Sequence, residues 1–207
     1  MRAQEDMIVE KLKDQQASDA VPIDTPRFCQ EIADFVGEDD EMIVIGDGGD
    51  VVAASAKVVP IPKKGLWMDP GPLGTLGVGM PFALAAQTTY PDRKVLIIYG
   101  DGSFGLNGME YDTAVRFNLP IVGIVGNDAA WGQMMRPQGA FYNTYVAVDL
   151  LPTRYDKMVE ALGGHGEFVE KPEDIRPALD RAFASGKPAL INVILKTDRE
   201  YKGGGYV

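Results

Sequence analysis

Cysteine, histidine and tryptophan are scarce in this chain: one, one and two in 207 residues. A single thiol, Cys29, excludes an internal disulfide and fits a reducing compartment. With neither His nor a second Cys near it, Cys29 is read as packed rather than reactive. The only histidine, His165, has no acidic or cysteine neighbours at ligand spacing. It is expected as surface decoration in a short turn before Glu167, not as a catalytic group. Clustered positive charge is also missing. Twenty Lys and Arg against thirty Asp and Glu leave a formal charge of −10, which argues against a nucleic-acid or anionic-membrane partner. The apolar runs are too short to span a bilayer, and residues 1–16 are too charged for a signal peptide. A cytoplasmic protein is expected. No Gly-Lys-Ser/Thr phosphate loop occurs.

What the chain does have is 45 % hydrophobic residues, enough to fill the core of one ordinary domain, or a domain with an arm. Its organising stretch is 95–133. Residues 95–99, Val-Leu-Ile-Ile-Tyr, read as a strand buried on both faces. Gly100-Asp101-Gly102-Ser103 reads as a tight turn, residues 109–117 as a helix, and 121–125 as a second buried strand ending in Gly126-Asn127-Asp128. Strand, helix, strand is a βαβ unit with a right-handed crossover. Asp101 and Asp128 therefore fall at the carboxyl ends of parallel strands, where open α/β sheets bind ligands. Two hard oxygen ligands beside bare backbone amides suit a divalent ion carrying a diphosphate.

Around that unit, residues 2–16 are charged with a narrow apolar stripe: a helix in search of a surface, a solvated arm, or a flexible terminus. Thr25 is the expected N-cap of a helix with Pro26 first and Gly37 as its stop. Residues 42–45 read as a strand, followed by Gly46-Asp47-Gly48-Gly49-Asp50 and a helix from about Val51. The third glycine of a dinucleotide fingerprint would fall at Val51, which leaves that reading as a weak alternative. Asp47 is unhelpful to an anion and is expected to cap the helix or orient amides. Residues 60–65 form a loop with Lys63 and Lys64. Gly71, Gly74, Gly77 and Gly79 keep the backbone bare before a helix at 81–87. Residues 132–145 look loop-like and pocket-lining, with Arg136 expected at the surface or, as the alternative, facing a substrate anion. Helices at 155–162 and 172–184 and a last strand at 189–195 complete the pattern. The fold class is α/β: an open parallel sheet with helices on both faces, bounded by an arm at 1–20 and a glycine-rich tail at 197–207.

The Gly-Asp-Gly-Ser sequence and the Asn-containing pair 27 positions after Asp101 resemble the thiamine diphosphate (ThDP) motif. The resemblance extends over about 20–195, as the pyrophosphate-binding (PP) domain of enzymes related to acetolactate synthase. The segment from Asp69 to Gln87, together with Asn127 to Trp131, looks most like 2-hydroxyacyl-CoA lyases and oxalyl-CoA decarboxylases. The family usually has Asn where this chain has Asp128. By resemblance, Asp101, Asp128 and the Ala130 carbonyl hold Mg²⁺. Asp47, Gly48 and Gly49 lie at one end of the diphosphate, and Ser103 with the amides of Gly102 and Phe104 holds the phosphates. Asn127 belongs with the cofactor-binding residues. The Gly74 carbonyl accepts from the cofactor's 4′-amino group, Leu76 wedges between its rings, and Trp131, Gln133 and Met134 face the substrate.

In this family a glutamate on a pyrimidine-binding (PYR) domain activates the cofactor, and no residue of this chain replaces it. The expectation is a small subunit of a hetero-oligomer, a dimer of heterodimers or larger. Its larger partner would carry the PYR and CoA-binding domains; a fragment of one longer chain is the alternative. The expected reaction is cleavage or formation of the C1–C2 bond of a 2-hydroxyacyl-CoA. Decarboxylation of an oxalyl-CoA or 2-oxoacid, and acetolactate-type carboligation, are the rivals. A non-catalytic regulatory subunit is the alternative of another class. The tail, in one branch of the family, folds over the site as a lid.

Overall fold

The computed structural model describes residues 12–60 and 66–199. Lys63, Lys64, most of the N-terminal arm and most of the expected lid lie outside the described residues.

Six parallel strands form one open sheet in the order β2-β1-β3-β4-β6-β5. They are β1 (Ile43–Asp47), β2 (Trp67–Met68), β3 (Val95–Gly100), β4 (Val122–Asn127), β5 (His165–Val169) and β6 (Ala189–Ile194). Parallel strands covered on both faces need apolar side chains at successive positions. The sequence of β3 supplies them: its alternate residues enter two different cores. Leu96 and Ile98 join α1 (Thr25–Gly37), α2 (Asp50–Ser55) and α8 (Ile175–Ala184) on one face. Val95, Ile97 and Tyr99 pack on the other, against α3 (Gly79–Thr89), α4 (Asp101–Asn107), α5 (Tyr111–Arg116) and α7 (Tyr155–Ala161). The expected architecture is present, and among the described residues no helix is long and apolar enough to cross a membrane.

The chain leaves β1 toward β2 on one side and continues through β3 and β4 on the other. The carboxyl ends of β1 and β3 therefore flank a topological switch point, where a crevice opens. Registers pairing Asp47 with Tyr99, and Gly100 with Gly126, bring the three strand ends level.

Several expected elements are redrawn. Gly100-Asp101-Gly102-Ser103 is not a free turn, because α4 begins at Asp101 itself. A 3₁₀ turn (Gly108–Glu110) then leads into α5, in place of one helix over 109–117. Residues 132–142 are also helical: α6 (Gly132–Tyr142) carries Pro137 inside it. Proline removes only one ladder donor and disfavours the interior, and here burial of Met135 against Ala130 and Val148 outweighs that preference. At the start of α1 the N-cap position falls to Asp24, one residue before Thr25, but its side chain makes no capping bond and instead accepts from Ser18 Oγ at 2.7 Å. His165 opens β5 rather than sitting in a turn. It has an acidic partner after all, Glu167 Oε1 at 2.8 Å, which Arg181 also holds.

Candidate active site

A cleft of about 1010 Å³ opens over the carboxyl ends of β1, β3 and β4. Gly48, Gly49, Gly74, Leu76, Asp101, Gly102, Ser103, Asp128, Ala130, Trp131, Gln133 and Met134 all line it. The residues singled out in the sequence thus converge, with three exceptions that face inward.

Asp47 is the first. It is 1 % exposed, and its carboxylate accepts from the amides of Gly77 at 2.9 Å and Gly79 at 2.7 Å. It therefore orients amides of the glycine-rich loop at the start of α3 and does not cap α2. Burial holds its carboxyl above the usual range, opposed by those two amides. Phe104, from which only the backbone amide was expected at the site, is the second: its ring packs edge-on to Tyr99 and Tyr155, at 5.3 and 5.0 Å between centroids, and anchors α4 in the core. Asn127 is the third, buried and bonded to Thr153 and Asn192.

Close backbone approach explains the glycines. Gly48 has φ +154°, and a Cβ there would stand 2.9 Å from the Gly100 nitrogen, so only glycine lets the β1 and β3 loops touch. A Cβ on Gly102 would meet the Trp131 ring at 2.6 Å. Ser103 Oγ lies within hydrogen-bonding reach of the carbonyls of Asp47 and Gly100, and joins the two strand ends.

The electrostatics are unusual for exposed-looking turns. Asp101 Oδ1 accepts from the Gly102 amide at 2.7 Å, while the buried Oδ2 has no hydrogen-bond partner among the described residues. Burial pushes its carboxyl up to about 6, despite the amides of Gly102, Ala130 and Ala129. Asp128 is pushed up to about 7 by burial and then by the charges of Asp101 and Asp50, with Arg136 opposing. Two crowded carboxylates and an orphaned buried oxygen are what a bound cation would relieve. Among the described residues no third His, Cys, Asp or Glu joins them. A cation here would therefore need backbone and ligand oxygens as well. An antiparallel bridge pairs Ala130 with Asp149 through the Ala129 carbonyl and the Trp131 amide, leaving the Ala130 carbonyl out of that pairing.

Arg136 corrects an expectation. It is no free surface group: its side chain is 12 % exposed and forms an ion pair with Asp50. A Cβ built on Gly132 would lie 2.5 Å from Asp50 Oδ2 and 3.3 Å from both Asp128 Oδ2 and an Arg136 nitrogen. The pair thus borders the two-aspartate site. Reading 132–145 as a loop hid this, because a helix is what places Arg136 one turn after Gly132.

Residues 47–193 match the family model "Thiamine pyrophosphate enzyme, C-terminal TPP binding domain". The chain belongs to this family. A "2-hydroxyacyl-CoA lyase 2" of Caenorhabditis elegans is 49 % identical over 166 residues, covering 77 % of this chain and 26 % of that protein. A "Probable acetolactate synthase" of Mycobacterium bovis is 45 % identical over 177 residues, covering 85 % of this chain and 32 % of that one. The chain spans about a third or less of the length of these relatives. Among solved structures, a Rhodococcus jostii thiamine diphosphate-dependent 4-hydroxybenzoylformate decarboxylase superposes with a TM-score of 0.80 at 24 % identity. It covers 88 % of this chain and 34 % of that one, and shows the shared fold.

Proposed function

We propose that this chain is the PP-domain subunit of a ThDP- and Mg²⁺-dependent enzyme that cleaves or forms the C1–C2 bond of a 2-hydroxyacyl-CoA. The products of cleavage would be an aldehyde or ketone and formyl-CoA. The observation that carries the reading is the pairing of Asp101 and Asp128 over a glycine cradle at the switch point, in a chain of the thiamine pyrophosphate family. The likeness to 2-hydroxyacyl-CoA lyase 2 supports the reaction class.

When bound, ThDP supplies a carbon nucleophile that adds to a carbonyl and then stores the electron pair left by bond cleavage. The protein's part is binding and orientation. Asp101, Asp128 and the Ala130 carbonyl would hold Mg²⁺, a hard cation suited to oxygen ligands. The amides around Gly48, Gly49 and Ser103 would receive the phosphates, that of Gly102 being held by Asp101 Oδ1. Leu76 is half-buried in the cleft, where its bulk would shape the bound cofactor, and the Gly74 carbonyl supplies an acceptor. Trp131, Gln133 and Met134 border the space left for substrate. Gln133 reaches over Gly49, and Met134 is 53 % exposed. The activating glutamate and the CoA determinants would come from a larger partner with PYR and CoA-binding domains.

The test is recovery of the chain from its host with whatever accompanies it, then assay with ThDP and Mg²⁺ on 2-hydroxyacyl-CoAs and 2-oxoacids. Formyl-CoA release only when a larger chain is present is the expected result. Carbon dioxide release from a 2-oxoacid would keep the site and replace the reaction. Turnover by this chain alone would overturn the requirement for a partner.

A further inference from the structure

Asn127, read in the sequence as a cofactor contact, belongs to a buried polar chain that runs away from the cleft. Its Nδ2 donates to the Thr153 carbonyl at 3.0 Å and to Asn192 Oδ1 at 3.1 Å. Asn192, fully buried on β6, donates in turn to the Thr153 carbonyl at 3.0 Å and to Asp156 Oδ1 at 3.4 Å. Asp156 is 1 % exposed and accepts a two-pronged contact from Arg154, at 2.8 and 2.6 Å. The Arg154 guanidinium lies 3.8 Å over the Phe168 ring. Burying this many polar groups costs desolvation that a hydrophobic filling would avoid. The network's other end suggests what it does.

Asn127 Oδ1 accepts from the Ala129 amide at 3.3 Å. Ala129 has φ +55°, a left-handed conformation that a residue with a Cβ rarely adopts. That one residue lies between Asp128 and Ala130, so its conformation decides where the Asp128 carboxylate and the Ala130 carbonyl stand. The Leu150 amide fixes the same turn from the opposite side, donating to the Ala129 carbonyl at 2.8 Å.

We infer that Asn127, Asn192, Asp156 and Arg154 are positioning residues, which act through the strained turn at Ala129 to set the geometry of the metal ligands Asp128 and Ala130. The inference rests on reading those two residues as ligands. Groups that orient metal ligands commonly change metal affinity by roughly ten- to a hundredfold when removed.

The test is Mn²⁺ binding to the full chain in the presence of ThDP, read as free Mn²⁺ by electron paramagnetic resonance alongside the melting temperature. Asn192→Leu and Arg154→Met are compared, each alone and with Ala129→Gly, because glycine takes the left-handed conformation without a Cβ penalty. Both single variants are expected to bind Mn²⁺ about tenfold more weakly. Added Ala129→Gly should restore most of that affinity while leaving the lowered melting temperature unrestored. Arg154 lies at the exposed end of the network, so its variant carries the test if Asn192→Leu does not fold. Unchanged Mn²⁺ affinity in the folded variants overturns the inference, as does an equal loss with and without Ala129→Gly. Failure of the unmodified chain to bind Mn²⁺ at all would overturn the ligand reading itself, a separate result.

Discussion

Asp128 stands at the end of β4 beside Asp101 at the start of α4, and burial together with the Asp101 charge pushes its carboxyl up to about 7. Asp101 is itself pushed up to about 6 by burial. Both folded-state values exceed the ordinary aspartate value of 3.8, so between about pH 4 and 7 the folded chain binds more protons than the unfolded one. Stability then falls as pH rises through that window. Without metal, the melting temperature should be several degrees higher at pH 5 than at pH 8, at roughly 2–4 °C per kcal/mol for a chain of this size. Mg²⁺ with ThDP should reverse the order. Thermal unfolding at the two pH values checks it, with the double variant Asp101→Asn, Asp128→Asn as control. A pH dependence that survives in the control would place its origin in the chain's overall negative charge.

Asp128→Asn alone removes one of two crowded buried charges. The metal-free chain should gain about 1 kcal/mol at pH 8, while Mg²⁺ binding weakens without vanishing. Denaturant unfolding and metal titration of the same variant measure both effects. A destabilised metal-free variant would contradict the account of charge crowding.

Arg136→Met should destabilise the chain by about 2 kcal/mol, because Asp50 and Asp128 would then face each other with less compensation. Adding Asp50→Asn should recover most of the loss, a coupling that a double-mutant cycle isolates. Additive effects would show that the ion pair is incidental.

Gly102→Ala would set a methyl group 2.6 Å from the Trp131 ring. Overpacking of this kind costs about 1–3 kcal/mol. Displacing Trp131 should also change its fluorescence and lower ThDP affinity, while leaving the far-ultraviolet circular dichroism intact.

The sheet was legible because residues such as Ile97 and Ile98 serve opposite faces of a doubly covered strand, which demands unbroken apolar runs. Asp101 and Asp128 were legible because their spacing follows from strand, helix and strand of ordinary length. The family resemblance supplied the rest of the site. Helix α6 was not legible: Pro137 and an irregular aromatic pattern argue against a helix locally, and only packing of Met135 against Ala130 and Val148 overrides them. Arg136 was misplaced for the same reason, its burial depending on that helix. Asp47 was read as capping a helix or orienting amides, and it does the second; which amides it holds was hidden, because Gly77 and Gly79 lie 30 and 32 residues along the chain. The buried contacts of Asn127 were hidden likewise, with Thr153 and Asn192 lying 26 and 65 residues away. Spacing along a sequence cannot show which way a carboxylate or amide turns.

The most direct test of the central claim, that this chain holds ThDP through a metal at Asp101 and Asp128, is calorimetric titration of ThDP into the full chain in Mg²⁺ and in EDTA. The account predicts heat of binding in Mg²⁺ that disappears in EDTA and in Asp101→Ala. Equal binding in EDTA, or undiminished binding by Asp101→Ala, would contradict it.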